Sequence, residues 1–122
     1  MNIREFQQAI NRWMLKCFGP EISKDRKERC HRFIEEALEL VQAGDCSKED
    51  VLMLVDYVYS RPKGEVYQEV GGVIVTLAAF CTAWNQDLEL DAVVEQERIW
   101  TKVKEICEKQ ATKPGNNSPL PE

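Results

Sequence analysis

The fold class is decided by residues 65–84, which read EVYQEVGGVIVTLAAFCTAW. The β-branched residues and the pair Gly71-Gly72 would allow a strand on local propensity alone. However, the stretch contains no proline and no turn dipeptide other than Gly-Gly, so its length predicts one long buried helix. Adjacent glycines cost a helix roughly 1 kcal/mol each relative to alanine. We therefore expect another helix or a ligand to approach this helix closely at the glycines.

Two more helices are predicted nearer the N-terminus, where apolar residues also have helical spacing. Apolar residues recur at helical intervals over residues 3–17, with Asn2 as the expected N-cap, and Phe18-Gly19-Pro20 is predicted to end that helix. Ser23 is the expected N-cap of a second helix that ends at Gly44. This second helix carries an apolar stripe predicted to face the core, whose members are Cys30, Phe33, Ile34, Ala37, Leu38 and Val41.

Two further helices complete the prediction. Ser47-Lys48-Glu49-Asp50 resembles a capping box, with aspartate in the acidic place, before an apolar run over residues 51–59. Arg61-Pro62-Lys63-Gly64 then breaks the chain, and the last helix is predicted from about Leu90 to Lys109. Together with residues 65–84, these segments predict an all-α bundle of four to five helices.

Length and composition limit the class of protein. The 122 residues suffice for one core, which predicts a helical domain over residues 1–110 and an extended or disordered tail over residues 111–122. No apolar run is expected to reach the roughly 18 residues that span a bilayer, and the N-terminus does not read as a signal peptide. We therefore expect a cytoplasmic protein without a membrane partner. The net charge of −5, without a basic stripe, argues against nucleic acid as a partner.

Two groups of glutamates suggest metal chemistry. Glu36 and Glu39 are three residues apart, which makes them neighbours on one helix face, and Glu35 lies beside them. Glu65 and Glu69, four residues apart, form a second acidic patch at the start of the glycine-containing helix. Two such patches facing each other would form an oxygen-lined site for Mg²⁺. The alternative is that both patches are solvated helix faces.

The same acids carry a resemblance to a known family. The run Glu35-Glu36-Ala37-Leu38-Glu39 matches the EExxE element of the MazG-like all-α nucleoside triphosphate pyrophosphohydrolases, and Glu69 begins their ExxD element. Gly72 stands where that family has its aspartate. A wider likeness, to the MazG-like proteins common in phages and prophages, covers residues 31–43, 54–59, 69–80 and 98–114. The resemblance implies the MazG-type bundle, which generally assembles as a homodimer or homotetramer with sites near the subunit interfaces.

The resemblance also implies an activity. It implies a Mg²⁺-dependent cleavage of a (deoxy)nucleoside triphosphate between the α- and β-phosphates, which yields the monophosphate and pyrophosphate. Mn²⁺ is the alternative metal. By analogy, Glu36, Glu39 and Glu69 are the expected metal ligands. Glu35 is expected to be an added ligand or the catalytic group that orients water.

Gly72 leaves one ligand position open. Either Glu65 or Asp56 replaces the missing aspartate, or three glutamates and water hold the metal. Glu65 has an alternative role as a first-turn acid favoured by the helix dipole, and Asp56 as a surface residue. Gly72 also favours a second hypothesis, a catalytically degenerate bundle that binds a nucleotide or a partner. A third hypothesis is a structural helical oligomer.

Three basic side chains are candidates for binding the phosphates. Arg32 matches the basic position that often precedes EExxE in the family, and its alternative is an ion pair with Glu35 or Glu36. Arg98 and Lys102 lie on the last predicted helix, and their alternative is solvated helix charge.

Overall fold

The computed structural model of the chain describes residues 1–103, 105 and 108. Its five α-helices are α1 (Ile3–Ser23), α2 (Arg26–Ala43), α3 (Lys48–Tyr59), α4 (Val66–Ala83) and α5 (Leu88–Thr101). The described residues contain no β-strand, which confirms the all-α prediction and the choice of helix over strand for residues 65–84. The predicted tail, residues 111–122, lies outside the described residues.

Helix α1 begins as predicted but continues past the predicted end. Asn2 caps it, because its Oδ1 accepts a hydrogen bond from the backbone N–H of Glu5 at 2.8 Å. Gly19 interrupts the helix with φ 80° and ψ 171°, a conformation that glycine adopts without a Cβ clash. Pro20 then opens a final turn that runs to Ser23, so the predicted stop is a kink rather than an end.

The predicted N-cap of α2 is wrong. Asp25, not Ser23, precedes the helix, and its Oδ1 accepts a hydrogen bond from the Glu28 backbone N–H at 3.1 Å. Ser23 belongs to the last turn of α1, where its hydroxyl donates to the Pro20 carbonyl at 3.1 Å. The other end of α2 is as predicted, because Gly44 follows its last residue.

Helix α3 confirms its predicted cap. Ser47 Oγ accepts a hydrogen bond from the Asp50 backbone N–H at 3.1 Å, as the capping-box pattern indicated. Glu65 occupies the N-cap position of α4 without forming a side-chain cap hydrogen bond.

The described residues divide into two compact units. Unit 1 comprises Met1–Glu36 and the described residues from Ala92 onward, and unit 2 comprises Ala37–Asp91. In the described part of unit 1, Ala9 and Ile99 are the buried apolar residues. The Trp13 and Phe18 rings pack edge-to-face, with 5.5 Å between their centroids.

Unit 2 is packed around the C-terminal part of α4. Cys81 is buried, and the Phe80 and Trp84 rings stack at 6.0 Å between centroids. A Cβ at Gly44 would lie 3.1 Å from the Phe80 ring, so glycine allows this close approach.

The prediction that α4 is buried is wrong for most of its length. Every residue from Val66 to Thr76 is exposed, and burial begins only at Leu77, Phe80 and Cys81. The helix is also long and apolar enough to cross a membrane by length and composition alone, contrary to the sequence expectation. Only 6% of the stretch Val66–Ala83 is buried.

The predicted inward stripe of α2 is wrong at four positions, one of which is the exposed Cys30. Phe33, Ile34 and Leu38 are 47%, 50% and 44% exposed, whereas Glu28 on the same helix is buried. Helical periodicity identifies a face, but burial requires another element to cover that face.

Candidate functional site

Glu35 is held by an arginine of its own helix. Its Oε1 lies 2.8 Å from Arg32 Nη1, one helical turn earlier. This is the i,i+3 ion pair given above as the alternative role of Arg32. Both side chains are partly buried, so the pair restricts the orientation of the Glu35 carboxylate.

Arg32 also contacts Glu28, a residue that the sequence reasoning missed. Glu28 is only 4% exposed, and its Oε1 lies 3.4 Å from Arg32 Nε and 3.9 Å from Arg29 Nη2. Neither distance is accompanied by a hydrogen bond, and Glu28 Oε1 and Arg32 Nε have no hydrogen-bond partner among the described residues. The i,i+4 spacing of Glu28 and Arg32 was the available signal, but nothing in that spacing indicates burial.

Glu36 lies within electrostatic reach of Arg98. Arg98 donates two hydrogen bonds to the Glu95 carboxylate, at 2.9 and 2.6 Å. These bonds lower the pKa of Glu95 and, with the charge of Glu95, raise the pKa of Arg98. The charge of Glu36 contributes a smaller part of the rise at Arg98. The structure therefore brings one predicted metal ligand near one predicted phosphate-binding cation.

Lys102 is engaged in an exposed ion pair. Its Nζ lies 3.6 Å from Glu105 Oε2, at i,i+3 spacing, and both side chains are about half exposed or more. Such a pair contributes little to stability and leaves the ammonium free to exchange partners.

The remaining predicted metal ligands all belong to unit 2 and are exposed. Within the described part of the chain, Glu39, Asp56, Glu65 and Glu69 form no ion pair. Glu69 lies over the loop before α4, since its Cδ and Oε2 are 3.2 and 3.3 Å from where a Gly64 Cβ would be. These carboxylates keep their oxygens available to a cation from solution.

Gly72 lies in open space. Apart from the adjoining residues and the backbone of α4 itself, no described atom lies within 4 Å of a Cβ built at Gly71 or Gly72. The described residues therefore do not make the expected close approach at the glycines. The Gly72 carbonyl accepts a hydrogen bond from Thr76 Oγ1 at 3.0 Å. The Cβ of an aspartate at position 72 would therefore meet no obstacle among these described atoms.

The chemical type of the candidate ligands fits Mg²⁺ better than their arrangement in space does. All five candidate ligands are carboxylates, which Mg²⁺ prefers, and helical spacing makes Glu36 and Glu39 neighbours on α2. Within the described residues, however, no three acidic, histidine or cysteine side chains come together as a metal-binding group. Mg²⁺ usually retains several waters, so a site with one or two protein carboxylates is compatible with its chemistry.

Trp84 lies at the edge of a cavity in unit 2. It is 45% exposed and stacks on Phe80, and both line a cavity of about 330 Å³ in unit 2. The cavity wall is otherwise mostly apolar, with Gln86 and Asp91 as its polar members. An exposed indole beside an apolar cavity suits the face of a planar ring.

In comparisons with protein-family models, curated proteins and solved structures, none matched the chain. The family resemblance thus depends on the residues quoted for it, and membership in the family stays a prediction.

Proposed function

We propose that the protein is a cytoplasmic, homo-oligomeric nucleoside triphosphate pyrophosphohydrolase of the MazG-like, phage-type kind. It cleaves a (deoxy)nucleoside triphosphate between the α- and β-phosphates. The observation that carries the proposal is the exposure of Glu39 and Glu69, neither of which forms an ion pair with another described residue. The two glutamates belong to the two acidic elements of the family pattern.

Glu36, Glu39 and Glu69 would hold the metal, with Glu65 or Asp56 in place of the aspartate missing at position 72. When bound, Mg²⁺ or Mn²⁺ supplies charge neutralisation of the triphosphate and polarisation of the phosphoryl oxygens. Carboxylates at the site would repel a tetra-anionic ligand, and such a cation between them would replace that repulsion with attraction.

Glu35 is the proposed group that orients the attacking water. Its contact with Arg32 at 2.8 Å fixes one oxygen and leaves the other to accept a hydrogen bond from water. Arg98 and Lys102 are the proposed phosphate contacts. Each forms an ion pair with an exposed glutamate three residues away, and the higher charge of a phosphate would compete with that glutamate for the cation.

A second candidate function is favoured by Gly72. If the metal site has lost an essential ligand there, the protein binds a nucleotide or a partner without hydrolysis. Turnover separates this function from the first.

The test is an assay of the purified protein with each NTP and dNTP, in Mg²⁺ or Mn²⁺, that measures pyrophosphate and inorganic phosphate separately. We expect pyrophosphate release that EDTA abolishes. Glu39→Gln should reduce it by about 10²-fold or more, the scale of losing an electrostatic stabiliser of the transition state. Glu97→Gln removes an exposed glutamate outside the proposed site and serves as the matched control.

Each other result has a distinct meaning. Release of inorganic phosphate alone would assign a different bond to the reaction. Absence of turnover, with a melting temperature that Mg²⁺ and nucleotide still raise, would select the degenerate binding protein. Absence of both effects would contradict the two functions.

A further inference from the structure

The cavity in unit 2 has the size and the walls of a small-molecule site. Its volume of about 330 Å³ is at the lower end of the roughly 300–1,000 Å³ that ligand cavities occupy. Three helices supply its aliphatic wall, through Leu40 of α2, Leu77 of α4 and Leu88 of α5. All the residues that line it belong to unit 2. A mostly apolar space of this size favours a ligand of one or two rings.

Two aromatic side chains form one side of the cavity. Phe80 and Trp84 are one helical turn apart at the end of α4, and their ring planes differ by only 25°. Gly44 lets the Phe80 ring come close to the end of α2, because a Cβ there would lie 3.1 Å from that ring. The indole of Trp84 remains 45% exposed. Because a half-exposed indole offers part of its face, the cavity suits a planar ring that stacks on it.

The polar side chains of the lining favour a ligand that donates hydrogen bonds. Gln86 Nε2 donates to the Trp84 carbonyl at 3.2 Å, which leaves the side-chain oxygen of Gln86 to accept. The ionised carboxylate of Asp91 accepts hydrogen bonds only, and it forms no ion pair with another described residue. Asp91 is also not the cap of α5, since Asp87 Oδ1 accepts the hydrogen bond from the Leu90 backbone N–H at 3.0 Å.

We propose that this cavity binds a planar aromatic ligand of one or two rings whose edge carries amino or amidine N–H groups. The ring stacks on Trp84, and the N–H groups donate to the side-chain oxygens of Asp91 and Gln86. A positive charge on the ligand strengthens both contacts, because it is attracted to the carboxylate and to the face of the indole.

The proposed site does not depend on the metal or on hydrolysis. None of the proposed metal ligands and phosphate-binding residues lines the cavity. Glu69 lies eleven residues before Phe80 on α4, which is about 16 Å along the helix axis. Amino-bearing nucleobases and other aromatic amines share the required chemistry, and competition between ligands distinguishes these two sources.

The test is isothermal titration calorimetry of the full chain with benzamidine, a single ring that carries a cationic amidine, in the presence of EDTA. We expect saturable binding with a Kd of about 1 mM or lower. Benzoate has the same ring with an anionic acceptor group, and it should bind about tenfold or more weakly because it faces the Asp91 carboxylate. Equal binding of the two compounds would overturn the proposal.

Two variants locate the binding. Asp91→Asn should weaken benzamidine binding about tenfold, because it replaces a charge-assisted hydrogen bond with a neutral one. Glu89→Gln is the matched control, since Glu89 is an exposed acid in the same first turn of α5 and does not line the cavity. Trp84→Ala should also weaken binding about tenfold, whereas Tyr59→Ala, which removes an 84% exposed ring outside the cavity, should not. Variants that bind as their controls do would overturn the proposal.

If Trp84→Ala fails to fold, NMR of the wild type decides. Benzamidine should shift the signals of the Trp84 indole and the Gln86 side-chain amide and leave those of Tyr59 unchanged. The opposite pattern would contradict the proposed site.

Cytosine and uracil then separate the two sources of ligand, because they have rings of the same size and differ in an amino group against a carbonyl group. Displacement of benzamidine by cytosine but not by uracil assigns the site to amino-bearing nucleobases. Failure of both to displace bound benzamidine assigns it to other aromatic amines. Equal displacement by both, or saturable binding of neither benzamidine nor cytosine, overturns the proposal.

Discussion

The carboxylates of the two units differ in whether they contact a cation. In unit 1, Glu28, Glu35 and Glu95 each contact an arginine, and the arginine–carboxylate distances are as short as 2.6 Å. In unit 2, the exposed acids Glu39 and Glu69 contact no cation within the described residues. Acids of the first kind are held in place by the protein, whereas acids of the second kind retain their affinity for a cation from outside. The difference separates structural carboxylates from candidate ligands.

The largest predicted difference between the two kinds of carboxylate is in their contribution to stability, and Glu28 should contribute most. We expect Glu28→Ala to lower the free energy of unfolding by about 2–3 kcal/mol, because it leaves two partly buried arginines with one fewer counter-charge. Asp56→Ala, the matched change in unit 2, should cost less than about 0.5 kcal/mol because the side chain is exposed and forms no ion pair with another described residue. Urea unfolding of both variants measures the difference. Equal losses would show that the two kinds of carboxylate do not differ in structural role.

A smaller effect concerns ligand binding. With Mg²⁺ and a non-hydrolysable triphosphate at about 100 times the Kd, the wild type should gain about 2.7 kcal/mol of stability. Glu69→Gln should weaken binding about tenfold and remove about 1.3 kcal/mol of that gain, because an exposed ligand oxygen is lost. Glu95→Gln should keep or increase the gain, because the lost carboxylate is the one that competes with phosphate for Arg98. Thermal melts with and without EDTA compare the variants, and a gain that Glu69→Gln leaves unchanged would remove Glu69 from the site.

The smallest effect is a pH dependence at the Arg98–Glu95 pair. The pKa of Glu95 is lowered in the fold, chiefly by the hydrogen bonds from Arg98. The pair therefore contributes its stability above the unfolded pKa of the carboxyl group, and that contribution is lost as the pH falls through the lower, folded pKa. Because both side chains are more than half exposed, the contribution is about 0.3 kcal/mol. Carboxyl NMR titration should show a Glu95 pKa below its ordinary value in the wild type and near that value in Arg98→Ala. Identical titrations would contradict the pairing.

Helix positions were predictable because local signals determine them. The Ser47 cap, the stop at Gly44 and the helical state of residues 65–84 were all correct. The prediction failed where two local signals competed. Ser23 and Asp25 are both good N-cap residues. Pro20 opens a last turn of α1 that includes Ser23, so Asp25 is the residue that caps α2.

In the candidate site, the sequence could predict only the contacts between residues of one helix. The spacing of Arg32 and Glu35 indicated their pair, and the structure contains it. The burial of Glu28 and the exposure of Phe33 were not predictable, because each depends on what lies against α2 rather than on α2 itself. Whether the predicted ligands share a metal stays a prediction.

The sequence by itself determined which residues are helical and which acids are neighbours along a helix, since backbone hydrogen bonds and caps act within about four residues. Only the tertiary structure decided which helix faces are covered and which carboxylates are neutralised. It left Val66 to Thr76 uncovered and surrounded Glu28 with arginines. Covering a face requires contacts between residues far apart in the chain, and helical periodicity contains no information about those contacts.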